Sequence, residues 1–332
     1  MIFPWQTQQW QQLWRIKQKN QLPQALLFAG MAGIGKHVLA DHLSRACLCP
    51  HVDIEGLPCN QCHACRLLDG KVHPNILWVE PEKAEQAIKV EQIRSVNDFI
   101  SQSSLQQGMR FVMIDPAHHM NINAANALLK TLEEPALGSM IILISDHATL
   151  LPKTILSRCQ SIIFKRPKRD EVIPWLEKIC SQSSTTTKAT LLLKISDGAP
   201  LAALNLLKEN QLTIRHYLFE TLYLLSREQG DPIKAAQQLM ACSPRHLLDF
   251  LSQFMLDLLR LQLGGSELDM MNEDVKNYLV DLKERTSIKN NVHFVNAIQQ
   301  LRQQQCRGIH LNTQLMIESL LIRFMEYKHV SC

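Results

Sequence analysis

Cys49, Cys59, Cys62 and Cys65 stand in the spacing C-x9-C-x2-C-x2-C. Two-residue gaps let successive thiolates turn toward one ion, and four thiolates complete the closed tetrahedron of a structural Zn²⁺ site with no open position for catalysis. Five of the ten cysteines lie between Cys47 and Cys65. In a chain of this length without a secretory layout, such clustering indicates a metal rather than disulfides. Cys47, His51 and His63 are spare ligands, and the first ligand stays open between Cys47 and Cys49, with Cys47 expected on the buried end of a helix. Only Arg66, Lys71 and a few histidines lie nearby, so stabilisation or partner contact is a better role for the module than nucleic-acid binding.

A second set of residues has the layout of nucleotide chemistry. GMAGIGKH, Gly30 to His37, follows an apolar run and opens a helical stretch. Gly30, Gly35 and Lys36 match the G-x-x-x-x-G-K loop, whose backbone N–H groups and helix N-terminus surround phosphates while the lysine neutralises them. The hydroxyl residue that should follow the lysine is His37, and imidazole is a poor ligand for a small hard cation such as Mg²⁺. A loop that keeps the turn and binds no nucleotide is therefore a competing reading. The acidic pair expected at the end of a central strand is reduced to Asp115, followed by Pro116, which can neither orient nor activate water. His118 and His119 lie further into the turn and are expected to be exposed loop histidines. Arg158, in Ser157-Arg158-Cys159, is open to three readings: a solvated charge, a structural ion pair, or a guanidinium offered to phosphate on a neighbouring subunit.

These residues need a scaffold. Five strand candidates alternate with helical stretches in the first half: Ala25 to Gly30, Asn75 to Glu80, Arg110 to Asp115, Ser139 to Ser145 and Ser161 to Arg166. That alternation predicts an α/β domain with a five-stranded parallel sheet. Helices are expected from about Lys36, from Val90, and from Ala124 to the stop at Pro135. After Pro167 only helical patterns remain. They include one ending at Asp197-Gly198, a long one ending at Gly264-Gly265, and one with Asn312 as N-cap. The division expected is 1–166, with a cysteine module at about 47–66, then a small helical lid at 167–207 and an all-α domain at 208–332. The glutamine-rich patches Gln6 to Gln12 and Gln299 to Gln305 are expected to be solvated helix faces.

Composition sets limits on function. With 35 basic and 31 acidic residues in 332, the formal charge is +4, and 46% of residues are apolar against 20% charged. That balance belongs to a folded protein with a large core, and excludes both a disordered chain and a uniformly basic nucleic-acid wrapper. No apolar run approaches the length of a membrane helix, and MIFPWQTQQW lacks a signal-peptide layout, so a cytoplasmic protein with no membrane role is expected.

LPQALLFAG, the loop GIGKH, the four cysteines, NALLKTLEEP (Asn126 to Pro135) and TILSRC (Thr154 to Cys159) together resemble the AAA+ clamp-loader subunits of bacterial DNA polymerase III. The resemblance covers almost all of the first domain and continues more faintly through the helical regions. It implies a RecA-like AAA+ domain, a lid, and a C-terminal collar that oligomerises. It also implies a place in a hetero-pentamer beside gamma/tau and delta subunits, reaching the sliding clamp and primed DNA through the complex. Arg158 then corresponds to an arginine finger acting in trans on a neighbour's ATP, the four cysteines to zinc ligands, and Ser145 to the polar sensor position. The degenerate nucleotide site would comprise Gly30, Gly33, Gly35, Lys36, His37, Asp115 and Ser145. A motor of this family needs a hydroxyl after Lys36, a glutamate after Asp115 and a lid arginine; this chain has His37, Pro116 and Leu201 there. The expected role is a non-hydrolysing stator: part of a DNA-directed DNA polymerase (nucleotidyltransferase) holoenzyme that itself neither polymerises nor hydrolyses ATP, though weak binding of ATP and Mg²⁺ stays open. A gamma/tau-like motor and a zinc-dependent nucleic-acid binder are the rival readings.

Overall fold

Leu26 and Phe28 face one side of their strand and Ala25, Leu27 and Ala29 the other, and both sides are apolar. A strand of that kind must be covered on both faces. The computed structural model describes residues 2–83, 86–101, 108–182, 189–208, 211–266, 270–306 and 312–326. The chain folds into two compact units, Met1–Val172 and Ile173–Cys332.

In the first unit, β1 (Ala25–Gly30), β2 (Ile76–Val79), β3 (Arg110–Ile114), β4 (Ser139–Ser145) and β5 (Gln160–Phe164) form one parallel sheet in the order β2-β3-β4-β1-β5. This is the expected α/β arrangement with a five-stranded parallel sheet. The helices of this unit are α1 (Thr7–Gln18), α2 (Lys36–Leu48), α3 (His63–Asp69), α4 (Val90–Ser101), α5 (Ile122–Glu133) and α6 (Lys153–Leu156). Ile93, Val96 and Leu128 of α4 and α5 pack on Leu27, Val112 and Leu143, while Leu13, Leu39 and Leu43 of α1 and α2 pack on Leu26, Phe28 and Ile142. Asn121 starts α5 by accepting the Ala124 N–H at 2.8 Å, and the helix stops before Pro135, which disfavours helical backbone in the residue ahead of it.

Two strands match their expected limits and three do not. β2 and β3 stop short of Glu80 and Asp115 because their last pair is Val79 with Ile114. β5 begins at Gln160, and it ends at Phe164 because its partner β1 ends at Gly30. α5 begins at Ile122 rather than Ala124. Because all five strands are parallel, their carboxyl ends share one edge of the sheet and their amino ends the other. The 30–36 loop, Asp115 and Ser145 lie on the carboxyl edge; Ser139 and the turn holding Arg158 lie on the amino edge.

Helix α7 (Arg169–Gln182) carries the chain into the second unit, whose described residues are helical: α8 (Ala189–Ile195), α9 (Pro200–Lys208), α10 (Gln211–Ser226), α11 (Pro232–Leu239), α12 (Pro244–Gln262), α13 (Lys276–Arg285), α14 (Ile288–Cys306) and α15 (Thr313–Glu326). The expected stops are used: Gly198 N–H closes α8 onto the Leu193 carbonyl at 2.8 Å, and Gly265 N–H closes α12 onto Arg260 at 2.8 Å. Asn312 caps α15 through the Leu315 N–H at 3.1 Å. α12 buries Leu247, Leu251, Phe254 and Leu258 at helical spacing and packs with α13 and α14. Buried Arg215 of α10 is neutralised by Asp274 at 2.5 Å and donates to Asn272 at 2.6 Å. Among the described residues no single helix is long and apolar enough to cross a membrane.

Candidate metal centre and nucleotide loop

The cysteine module leaves α2 at Cys49 and returns through α3. Sγ of Cys49 lies 3.6 Å from that of Cys59 and 3.9 Å from that of Cys62, and Cys59 lies 4.0 Å from Cys65. A tetrahedron with metal–sulfur bonds of ~2.3 Å has edges of ~3.8 Å, whereas a disulfide would bring two sulfurs to ~2.0 Å. All four sulfurs fall within 4.8 Å of one another, so the set could hold a metal ion. Backbone N–H groups of Cys59, Cys62 and Cys65 each point at the sulfur of the preceding ligand at 3.4 Å, which stabilises thiolates. As bare thiols Cys59 and Cys65 conflict. The N–H groups of Gln61 and Cys62 bring Cys59 down to about 6, while burial and the neighbouring Cys62 and Cys49 sulfurs push Cys65 up to about 12. A dication removes that conflict because every ligand binds as thiolate. Cys47 lies outside the cluster on α2, where burial raises its thiol to about 11, so the choice between Cys47 and Cys49 falls to Cys49.

Helix α1 holds this module in a way its composition does not announce. Trp10 Nε1 donates to the Glu55 carbonyl at 2.9 Å and Trp14 Nε1 to the Ile54 carbonyl at 3.0 Å, with the two indoles stacked at 5.5 Å. Gly56, at φ +84°, follows them, and a Cβ there would lie 2.5 Å from the Trp14 ring. The segment before α1 also grips the nucleotide loop. Trp5 Nε1 donates to the Ile34 carbonyl at 3.0 Å, and Gln6 Nε2 to Ile34 and Gly35 at 3.0 and 2.7 Å. Gln6 is fully buried, so the expectation of a solvated face over Gln6 to Gln12 fails at its first residue: its amide satisfies loop carbonyls that water would otherwise reach.

At the carboxyl edge the loop keeps its glycines in left-handed backbone, with φ +74° at Gly33 and +87° at Gly35, and Gly30 ends β1. A Cβ on Gly35 would lie 2.8 Å from the Phe3 ring. Lys36 points into the loop with its side chain 3% exposed. Its ammonium donates to the carbonyls of Gly30 (2.8 Å) and Met31 (2.7 Å) and to the Asp146 carboxylate (2.7 Å), which matches its three hydrogens. His37 Nδ1 lies 2.8 Å from Asp115 Oδ2, and its ring stacks on Trp78 at 4.2 Å. The hydrogen bond to Asp115 raises the His37 pKa above 6.5, against the opposing effect of burial. His37 thus engages the carboxylate that would serve a magnesium ion. Ser145 is buried, with its hydroxyl 3.2 Å from His118 Nδ1 and accepting the His147 N–H at 3.2 Å. His118 and His119 are half-buried rather than exposed, and their rings meet edge-on at 4.7 Å.

Arg158 lies elsewhere. It precedes β5, whose Gln160 is level with Leu26, while the loop begins at Gly30. At ~3.3 Å per residue, roughly 15 Å of sheet separates the Arg158 turn from the loop of its own domain. Its guanidinium is bound to Glu133, at the end of α5. The structure therefore gathers Gly30, Gly33, Gly35, Lys36, His37, Asp115 and Ser145 on one edge, the four cysteines in another cluster, and leaves Arg158 apart. Sequence reasoning missed Asp146, Gln6, the paired tryptophans and Glu133. Asp146 adjoins Ser145, and Glu133 lies within NALLKTLEEP, so their positions were visible although their partners were not.

The family described as DNA polymerase III, delta subunit, matches residues 5–168, and its C-terminal counterpart matches 209–326. The DNA polymerase III subunit delta′ of Pseudomonas aeruginosa is 32% identical over 323 residues, 97% of each chain. That of Escherichia coli K12 is 27% identical over 325 residues, 98% of this chain and 96% of its own. Among solved structures, a gamma subunit-related protein from Thermotoga maritima aligns with 96% of this chain and 100% of its own, at 18% identity and a TM-score of 0.45. On the full-length match to relatives and the two matched domains, this chain belongs to the DNA polymerase III delta′ subunit family.

Proposed function

We propose that the chain is a non-hydrolysing stator of a clamp loader, which supplies Arg158 in trans to ATP held by an adjacent gamma/tau subunit. The observation that carries this reading is the closed carboxyl edge. Lys36 has given its donors to Gly30, Met31 and Asp146, and His37 takes Asp115, so phosphate and magnesium have each lost their principal ligand. Arg158 stands on the opposite edge, out of reach of that site. A guanidinium there serves a phosphate only if another subunit brings it. The neighbours are gamma/tau and delta in a hetero-pentamer, and the sliding clamp and primed DNA are met through that complex. Beyond the sheet domain, the division we infer is a lid at 167–207 and a collar at 208–332 that holds the partners. Zinc is the ion that fits Cys49, Cys59, Cys62 and Cys65; when bound it supplies a cross-link and no open position for chemistry.

The test is reconstitution with gamma/tau and delta. Arg158→Ala is expected to lower DNA- and clamp-stimulated ATP hydrolysis, by on the order of 10³ or more at the one site it serves and by less in the total, because other sites also fire. Unchanged turnover would refute the trans role. The isolated chain is expected to hydrolyse no ATP with Mg²⁺; turnover at a motor's rate, lost in Lys36→Ala, would favour the motor reading instead.

A further inference from the structure

Arg158 is already engaged in the free chain. Its Nε and Nη2 both donate to Oε1 of Glu133, at 2.9 and 2.5 Å, and Nη1 donates to the Thr154 carbonyl at 3.0 Å and Ser157 Oγ at 3.3 Å. Both side chains line a surface groove of about 420 Å³ on the amino edge of the sheet. Glu133 is the last residue of α5, a position where the helix dipole disfavours a carboxylate. The Arg158 charge offsets that penalty. A guanidinium that is to stabilise phosphate must turn its donors outward, and a carboxylate left beside the incoming anion repels it.

We propose that Glu133 is a positioning residue that parks Arg158 against its own domain and yields it as charge develops, in the transition state, on the γ-phosphate of a nucleoside triphosphate held by an adjacent subunit. The inference rests on the trans role of Arg158 proposed above. Arg158 is 34% exposed and Glu133 50%, so water screens the pair. Its hold is therefore modest, roughly two- to five-fold. Parking competes with a contact made in the transition state and not with the binding of ATP to its own subunit. It therefore lowers kcat and leaves KM unchanged.

Two measurements test this with the complete complex and the isolated chain. Glu133→Gln is expected to raise the kcat of DNA-stimulated ATP hydrolysis by roughly two- to five-fold at constant KM. It should also shift the Arg158 Nε–H resonance of the isolated chain, since the charged carboxylate acceptor becomes a neutral amide. In an Arg158→Ala background the same substitution is expected to add nothing. A kcat that stays level or falls in Glu133→Gln, a resonance that does not move, or a rise that persists without Arg158 would each overturn the parking role. Wild-type turnover in Arg158→Ala alone would instead overturn the trans reading, and parking with it, whatever Glu133→Gln does.

Discussion

Two histidines on the same helix respond to pH in opposite senses. His37 gains a proton through Asp115, so its folded pKa lies above the 6.5 of an unfolded chain. The stability it contributes is fully present below pH 6.5 and is lost as pH rises through the folded pKa. Against a His37→Gln variant, the wild-type advantage in urea midpoint is expected to shrink on raising the pH from 6 to 8.5; a constant advantage would mean the pair contributes no charge. His42 is the reverse case. Burial, under the edge of Trp10, lowers its pKa to about 4. The unfolded chain takes up that proton first, so stability falls as pH drops from 6.5 toward 4, by about 2–3 kcal/mol. NMR titration of His42 in the folded chain checks the value directly. Lys36 needs no titration to be informative. Asp146→Asn leaves its buried ammonium without a counter-charge and is expected to cost ~1–3 kcal/mol in urea denaturation.

Helix α1 links the two clusters. Its tryptophans hold the 54–56 turn of the cysteine module, and the residues just before it hold the Ile34 and Gly35 carbonyls of the nucleotide loop. Gly56→Ala forces an alanine into left-handed backbone and against the Trp14 ring. A loss of about 2 kcal/mol or more is expected, read from equilibrium unfolding. Removing the metal should loosen the same turn. Strong chelation is expected to lower the melting temperature by roughly 5–15 °C and to alter the fluorescence of the stacked Trp10 and Trp14. If chelation leaves both untouched, the cysteines do not hold a stabilising ion.

At the scale of the whole molecule, the parallel sheet decides what Arg158 can reach. One edge carries the loop and the other carries the arginine, so a single chain cannot bring them together without unfolding the sheet between. The closed loop has a thermodynamic signature as well. A ligand that binds the folded state raises stability by RT ln(1 + [L]/Kd), so millimolar ATP with Mg²⁺ is expected to leave the melting temperature of the isolated chain within about 1 °C. A larger upward shift would show that nucleotide displaces Asp146 from Lys36.

Local patterns were enough to identify the five strands, the Asn312 cap, the glycine stops of α8 and α12, and four cysteines able to share one ion. Strand periodicity, capping and ligand spacing all operate over a few residues, and a chain displays them directly. The missing hydroxyl after Lys36 and the proline after Asp115 were equally visible, because a motif names the residue type it needs. Other features depended on residues far apart in the chain. Asp146 meets Lys36 across 110 positions, Gln6 reaches the loop across 29, and Glu133 meets Arg158 across 25. Such pairings depend on strand order and on the course of the chain around the sheet, which no local pattern encodes. The residues of the 30–36 loop were thus legible in the sequence, whereas the ion pairs that close it, and the edge on which the arginine stands, were decided by the tertiary fold.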